Sequence, residues 1–211
     1  MKTNKLELIY DSTISLIKQL GVEKVSVSKI AKEAGIGKGS IYYYVKTKND
    51  ILDGIAKCTI KRIAQEYHIV VSENDLDVFQ KMKLLFDVTA TKTFSDGSNN
   101  DMHILFSQSD MYLHQRLNSA FMKYLVPILE NIMIEGTKKD VLKSNNPKKA
   151  SELIIMTMLM VFDGELLPAQ ERLDTIERMN YLANIIEKSL SVPKGSLRFF
   201  DDIYLQYAER S

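Results

Sequence analysis

Three of the nine glycines fall within five residues, at Gly35, Gly37 and Gly39. Short stretches with apolar residues at helical spacing lie on both sides of this cluster. Glycine tolerates the positive φ angles of tight turns, so the cluster predicts a turn between two short helices. A short helix, a brief turn of residues 35–37 and a second short helix form the helix-turn-helix layout. This arrangement constrains the N-terminal part of the chain more than any other feature.

Helical periodicity continues along nearly all of the chain, and no sustained alternation indicates strands. An all-α fold is therefore predicted. The first helix should end at Gly21, the second should run from Ser26 to Gly35, and the third should cover Lys38–Tyr44. A long helix should open at Thr47, with Asp50 completing a capping box. Further helices are predicted at about 75–92, 101–109, 111–136, 147–167, 171–190 and 195–208.

Charge is distributed unevenly, although 28 basic and 27 acidic residues leave a net charge of only +1. The near-balance argues against a nucleic-acid coat protein that is basic throughout. Residues 1–50, however, hold nine lysines against five acidic residues and carry +4, while residues 51–211 carry −3. A basic N-terminal region on an acidic body favours an approach to DNA by that region.

The sequence predicts a cytoplasmic protein without a membrane segment. Cys58 is the single cysteine, so no internal disulfide can form. The N-terminus lacks the apolar core of a signal peptide. The longest apolar stretch, 153–162, contains Thr157 and is far shorter than the about 20 residues that span a bilayer.

No enzyme or cofactor site is predicted. The three histidines, His68, His103 and His114, are scattered. His103 and His114, with nearby aspartates, match no dedicated metal-binding spacing. The sequence also lacks the G-x-S-x-G, P-loop, G-x-G-x-x-G and H-E-x-x-H motifs. We therefore expect neither a metal nor another cofactor.

The second helix of the helix-turn-helix presents groups that suit a DNA groove. Its hydroxyls and Lys38 can donate to phosphates, and Lys38 can also reach a guanine edge. Gly39 allows close approach of the backbone. Lys46 and Lys48 flank the N-terminus of the next helix, where free N–H groups and the helix dipole favour a phosphate. The alternative is a plain three-helix cap with solvated lysines.

Residues of about 6–52, a quarter of the chain, resemble the N-terminal domain of the TetR family of transcriptional regulators. The resemblance implies an all-helical homodimer with two DNA-binding heads and a C-terminal body that binds a small effector. It also implies that Tyr42 serves mainly in packing. The residues that carry it are Gly21, Ile30-Ala31, Ala34-Gly35-Ile36, Gly39, Ile41-Tyr42, Tyr44-Val45, Lys48 and Ile51-Leu52.

Two residues depart from the family pattern. Lys29 replaces a common acidic residue, so the reciprocal half of the capping box begun by Ser26 is absent. Gly37 stands where serine or threonine usually caps the recognition helix, and glycine is a weaker cap by a few tenths of a kcal/mol. We expect neither departure to change the fold.

These observations divide the chain into a DNA-binding domain, 1–46, and a larger effector-binding and dimerisation domain, 47–211. By its residues and by the resemblance, the first domain supplies the contacts to a double-stranded operator. The candidate DNA-binding residues are Ser28, Lys38, Gly39, Ser40, Tyr43, Tyr44, Lys46, Thr47 and Lys48.

Two C-terminal helices are candidates for a dimer interface. The helix predicted at 147–167 is apolar nearly all round, and such a helix must be buried on more than one side. With the following helix it can form a four-helix interface between two chains. The alternative is a buried monomeric core. The candidate interface residues are Met158, Phe162, Ile176, Asn180, Ala183 and Ile186.

Aromatic and methionine side chains in the body can line a pocket for an apolar or aromatic effector. For any one of these residues, core packing is the better explanation. Asp163 can face a cationic group or simply solvent at a helix end. The candidate effector residues are Phe86, His103, Phe106, Tyr112, Phe121, Tyr124, Met160 and Asp163.

The sequence thus predicts a dimeric DNA-binding transcriptional regulator, a repressor that a small effector releases from its operator. The helix that opens at Thr47 joins the two domains and is the expected lever. The effector must bind the two conformers unequally to move the equilibrium. The alternative is a helical ligand-binding or enzymatic protein whose head no longer binds DNA.

Overall fold

The computed structural model describes residues 5–94, 101–161 and 172–200. All regular structure in these ranges is helical, which confirms the predicted all-α class. A short 3-10 turn, Val22–Lys24, connects the first two helices. The α-helices are α1 Lys5–Leu20, α2 Val27–Glu33, α3 Lys38–Ile41, α4 Lys48–Glu73, α5 Val78–Phe94, α6 Asp101–Phe106, α7 Met111–Lys138, α8 Pro147–Val161 and α9 Arg172–Ser189.

Most predicted helix bounds agree with these within about three residues. The third helix ends at Ile41 instead of Tyr44, and α6 ends at Phe106 instead of residue 109. The last predicted helix, 195–208, begins only at Phe199, after a series of turns, and residues 201–208 of the prediction lie outside the described residues. The predicted end of the 147–167 helix also lies outside them.

The chain forms two compact units. The first unit contains residues 1–61 and 97–120, and the second contains 62–96 and 121–211. Helices α4 and α7 each contribute to both units. The unit that holds the candidate DNA-binding residues therefore includes a segment from the middle of the sequence, beyond the functional boundary predicted at residue 46.

The core of the first unit is built on α1. Ile9 and Ile17 are at most 1% exposed, and Thr13 is fully buried with its hydroxyl donating to the Ile9 carbonyl oxygen at 2.7 Å. Ile30 of α2 and Ile41 of α3 are also fully buried, as expected for the anchors of a helix-turn-helix. Neither short helix is long enough to be stable alone. Their stability therefore depends on the packing of these buried side chains.

Helices α1 and α4 approach closely at Gly54. A Cβ at this position would clash with the Tyr10 hydroxyl, so the missing side chain makes room for the phenol. Burial, followed by the nearby Cys58 and Asp53, raises the pKa of Tyr10. Glycine in α4 therefore sets the distance between these two helices.

The second unit is stabilised by both polar and apolar contacts. Lys81 donates to the Glu135 carboxylate at 2.7 and 2.9 Å, and Lys139 donates at 2.7 Å. The hydrogen bonds from Lys139 and Lys81 lower the pKa of Glu135. Burial, with a smaller contribution from Glu135, raises the pKa of Tyr67 to about 12. No helix in the described ranges has both the length and the apolar character needed to cross a bilayer.

Candidate functional site

The turn of the helix-turn-helix depends on Gly35. Its φ angle is +62°, in the region that side chains with a Cβ disfavour. The Ile36 amide donates to the Ala31 carbonyl oxygen at 2.8 Å, and the Gly35 amide donates to that of Lys32 at 3.2 Å. This pair of bonds is a Schellman motif, which ends α2 and turns the chain towards α3.

The start of α2 shows the predicted half of a capping box. The Ser26 hydroxyl accepts from the Lys29 amide at 3.4 Å. The Lys29 side chain cannot return the bond as an acidic residue would. Instead, its ammonium donates to the Lys24 carbonyl oxygen at 2.8 Å, so the lysine closes the preceding 3-10 turn.

Gly37 occupies the N-cap of α3 and supplies no side-chain hydrogen bond. Its φ angle is −55°, a value that any residue adopts, so the backbone does not require glycine here. A Cβ at Gly39 would meet no atom within 4 Å. The recognition helix thus leaves its backbone open on this side.

The candidate DNA-binding residues form an exposed surface of the first unit. Tyr43 is 93% exposed, and its ring meets Tyr44 edge-on with 6.5 Å between ring centroids. Tyr42 is 49% exposed, so half of its surface is available beyond the packing role that the resemblance implies. The nearly complete exposure of the large aromatic side chain of Tyr43 favours a binding role for it. The other exposed candidates are Ser28, Lys38, Gly39, Ser40, Lys46 and Thr47.

The N-terminus of α4 is closed by the predicted capping box. The Asp50 amide donates to the Thr47 hydroxyl at 3.1 Å, and the Asp50 carboxylate accepts from the amides of Thr47 and Lys46 at 2.9 and 3.0 Å. Hydrogen bonding from the Thr47 amide, the largest effect, lowers the pKa of Asp50. This cap fixes the loop that carries Lys46 and Thr47.

Lys48 differs from the other candidates because it is half-buried and already engaged. Its ammonium donates to the Val22 carbonyl oxygen at 2.5 Å. An ammonium has three N–H donors, so this bond leaves capacity for a phosphate. The structure therefore shows a contact of Lys48 with the 3-10 turn, in addition to the phosphate contact that the sequence predicts.

We expect Lys48→Ala to weaken DNA binding broadly, because the removed charge no longer displaces counterions from the DNA. The slope of log K against log salt should become shallower by about one per head. Fluorescence anisotropy titrations at several salt concentrations measure the slope. Lys138→Ala, an exposed lysine on α7 in the second unit, is the matched control and should leave it unchanged. An unchanged slope for Lys48→Ala would remove Lys48 from the phosphate contacts.

The candidate effector residues are divided between the two units. His103, Phe106 and Tyr112 belong to the first unit, where the Arg116 guanidinium lies 5.9 Å from the Tyr112 ring centroid. Phe86 is buried against Phe199 and Phe200, with centroid distances of 6.2 and 5.0 Å. The second unit also contains Phe121, which is buried, Tyr124, which is half-buried, and Met160, which is exposed. Asp163 lies outside the described residues.

The candidate dimer residues occupy mostly the inner side of α8 and α9. Met158, Ala183 and Ile186 are at most 8% exposed, because they pack into the core of their own chain. They expose little surface in the single chain, and their place in a dimer interface stays a prediction. Ile176 and Asn180 are half-buried, and Phe162 lies outside the described residues.

The exposed side of α8 and α9 carries a different apolar set. Leu153, Met156 and Met160 on α8 are 57, 40 and 45% exposed, and Tyr181 and Ile185 on α9 are 71 and 51% exposed. Helical spacing places each set on one side of its helix. Beside them lies a groove of about 560 Å³. The groove is lined by Thr157, Val161, Asp174, Glu177, Arg178, Tyr181, Leu182 and Ile185.

His114 and Asp110 serve local structure. His114 Nε2 lies 3.2 Å from the Phe106 carbonyl oxygen. The Asp110 carboxylate accepts from the Leu113 amide at 2.7 Å and so caps α7. Within the described ranges, no three His, Cys, Asp or Glu side chains come together as metal ligands would.

Known proteins resemble the chain in both sequence and fold. Residues 9–55 match the family "Bacterial regulatory proteins, tetR family". The fatty acid metabolism regulator protein of Bacillus subtilis is 29% identical over 161 residues, which cover 74% of this chain and 81% of the relative.

Two solved structures share the fold. RolR in complex with resorcinol has a TM-score of 0.66 at 16% identity and covers 95% of this chain and 92% of its own. FadR from Bacillus subtilis in complex with stearoyl-CoA has a TM-score of 0.59 at 22% identity, and the match covers 87% of this chain and 98% of the FadR chain. The capped helix-turn-helix, its exposed surface and these likenesses support a DNA-binding transcriptional regulator of the TetR type, and the family's own domain is matched by residues 9–55.

Proposed function

We propose that the protein is a homodimeric repressor that a long-chain acyl thioester releases from its operator. The exposed surface around Tyr43 on a rigidly capped helix-turn-helix is the observation that carries the DNA-binding part. Lys38, Ser40 and Tyr43 provide hydrogen-bond donors for phosphates and base edges. The net charge of +4 on residues 1–50 adds the attraction of a basic surface for DNA.

The effector part rests on the chemistry of the second unit and on its relatives. The buried side chains of that unit are overwhelmingly aliphatic, aromatic and methionine, including Phe86, Phe121 and Met82. Such surroundings suit an alkyl chain better than a polar metabolite. A regulator of fatty acid metabolism is 29% identical to the chain, and a structure of the same fold holds stearoyl-CoA. Together these observations favour an acyl chain over a small aromatic effector.

A DNA-binding titration with matched ligands tests this proposal. The probe is a fluorescent duplex from the region upstream of the protein's own gene. Stearoyl-CoA should raise the Kd for this duplex by about 10-fold or more, since coupling energies of 1–3 kcal/mol are typical. Free coenzyme A should leave this Kd unchanged, because it lacks the alkyl chain. Resorcinol should also leave it unchanged, because it fills too little apolar volume.

Each contrary result has a distinct meaning. DNA binding that responds to resorcinol alone would replace the acyl effector with an aromatic one. DNA binding that responds to no ligand would contradict effector control. Stearoyl-CoA binding without any DNA binding would favour the alternative of a ligand-binding protein with an inactive head.

The homodimer is proposed through the exposed side of α8 and α9. Five large apolar side chains are exposed along these two helices, and an apolar patch of this kind marks an interaction surface. Two copies related by a two-fold axis would bring the patch against itself. A dimer also holds two heads for half-sites about 34–36 Å apart, so that each head localises the other on DNA. The patch consists of Leu153, Met156, Met160, Tyr181 and Ile185.

We expect Ile185→Glu to convert the dimer into a monomer, because two carboxylates would be buried without partners at a self-complementary interface. Operator affinity should then fall by more than about 100-fold, since the second head no longer contributes its effective concentration. Analytical ultracentrifugation measures the mass and anisotropy measures the Kd. Ile69→Glu, at an isoleucine on α4 that is 57% exposed, is the matched control and should remain dimeric. A dimeric Ile185→Glu variant would place the interface elsewhere.

A further inference from the structure

The 3-10 turn between α1 and α2 is held by two side chains that are distant in sequence. The Val22 amide donates to the Gln108 side-chain oxygen at 3.0 Å, across 86 residues of sequence. The Val22 carbonyl oxygen accepts from the Lys48 ammonium at 2.5 Å. The backbone N–H and C=O groups of this buried residue are therefore both bound by side chains. This turn is also where the chain enters the helix-turn-helix.

Gln108 has a defined orientation because its amide bonds on both sides. Its side-chain nitrogen donates to the Ile104 carbonyl oxygen at 3.0 Å and to the Ser107 hydroxyl at 3.3 Å. A reversed amide would turn a donor towards the Val22 N–H group. The residue thus closes the C-terminal end of α6 and at the same time anchors the turn before α2.

A second contact from the same part of the chain holds the exit of the helix-turn-helix. Arg116 on α7 donates from Nε and Nη2 to Oδ1 of Asp53, both at 2.6 Å. Asp53 lies within the first two turns of α4, and its other oxygen accepts from Lys57. Although partial burial acts against the charged carboxylate, the bonds from Lys57 and Arg116 lower the pKa of Asp53.

The segment between these two contacts is packed on apolar side chains. Leu105, Leu113 and Leu117 are fully buried, and residues 97–120 belong to the same compact unit as the helix-turn-helix. The entry of the motif is therefore bound to Gln108 and its exit to Arg116, both on one packed segment. Neither residue lies in the part of the sequence that resembles the family's DNA-binding domain.

We propose that Gln108 and Arg116 are positioning residues for DNA binding, which set the orientation of the helix-turn-helix without touching DNA. The inference rests on the proposed operator binding and is independent of the effector. The recognition helix must enter the major groove in one orientation to contact base edges, whereas phosphate attraction tolerates many orientations. A head that has lost these two contacts should therefore lose preference for its operator more than attraction to DNA in general.

The test compares two DNA duplexes, one selected by the wild-type protein from a random library and one of scrambled sequence. Gln108→Leu removes all three hydrogen bonds of the side-chain amide and should raise the operator Kd by about 10-fold, while the Kd for scrambled DNA changes by less than about 2-fold. Arg116→Ala should behave in the same way. Gln108→Glu keeps an acceptor for the Val22 amide and should show a smaller loss of preference.

Lys57→Ala is the matched control for the second contact. It removes the other partner of Asp53 and leaves Arg116 in place, so the ratio of the two Kd values should stay within about 2-fold of wild type. Hydrogen exchange at the Val22 amide should be faster in Gln108→Leu and unchanged in Lys57→Ala.

A purely stabilising role gives a different result. It would lower the folded fraction and weaken binding to both duplexes by one factor, leaving their Kd ratio unchanged. An unchanged ratio in both Gln108→Leu and Arg116→Ala would overturn the proposal. If the wild-type protein selects no sequence from the library, operator binding itself fails and the positioning role fails with it.

Discussion

Tyr43→Ala should raise the operator Kd by about 30–100-fold and leave the stability of the fold unchanged. The side chain is 93% exposed, so its removal creates no cavity, and surface substitutions of this kind stay within about 0.5 kcal/mol. A solvent-exposed hydrogen bond from the hydroxyl, together with the contact of the ring, is expected to stabilise the binding of each head by about 1–1.4 kcal/mol, which is the typical net value for one hydrogen bond. A dimer loses these contacts in both heads, and about 2–2.8 kcal/mol corresponds to the stated change in Kd.

Anisotropy with the operator duplex and thermal unfolding measure the two halves of this prediction. Tyr43→Phe separates the hydroxyl from the ring and should cause a loss of intermediate size. A Tyr43→Ala variant that binds the operator as well as wild type would exclude this tyrosine from the interface. A variant that fails to fold would show instead that the side chain has a packing role.

Glu187→Ala should lower the free energy of unfolding by about 3 kcal/mol. Glu187 is 4% exposed, and its Oε1 accepts from the amides of Gly195 and Leu197, both at 2.9 Å. Without the carboxylate these two amides lose their acceptor, and a buried polar group left unpaired costs about 1–3 kcal/mol. The turn they form leads directly to Phe199 and Phe200, which pack on Phe86.

Urea denaturation at a fixed protein concentration measures this loss, since a dimer's stability depends on concentration. Glu187→Gln is the matched control, because its carbonyl oxygen still accepts the two bonds, and it should cost about 1 kcal/mol. Equal stability of Glu187→Ala and wild type would mean that the turn at 195–197 contributes nothing to the fold.

Local interactions could be predicted from the sequence because their partners lie within a few residues. The capping box of Thr47 and Asp50, the cap at Ser26 and the turn at Gly35 are all found as expected. Each depends on bonds between residues three to five apart, whose geometry follows from the helix itself. The exposed surface that carries the candidate DNA-binding residues lies between these caps, on and beside the short α3.

The face of α8 could not be predicted in the same way. Its sequence is apolar nearly all round, so periodicity contains no signal that separates the inner side from the outer side. Met158 and Leu153 are similar in chemistry, yet they are 8% and 57% exposed. Only the packing of the rest of the chain decides between them, and it places the candidate residue Met158 on the inner side.

The helix-turn-helix, its caps and the basic character of residues 1–50 follow from the sequence alone, because short-range bonds and composition are properties of neighbouring residues. Which distant residues complete that unit depends on tertiary packing. Gln108 and Arg116 carry no motif, and a glutamine 86 residues away from its partner gives no sequence signal. Such contacts exist only after buried side chains such as Leu105 and Leu113 have brought the segments together, since the free energy of burial depends on the whole core.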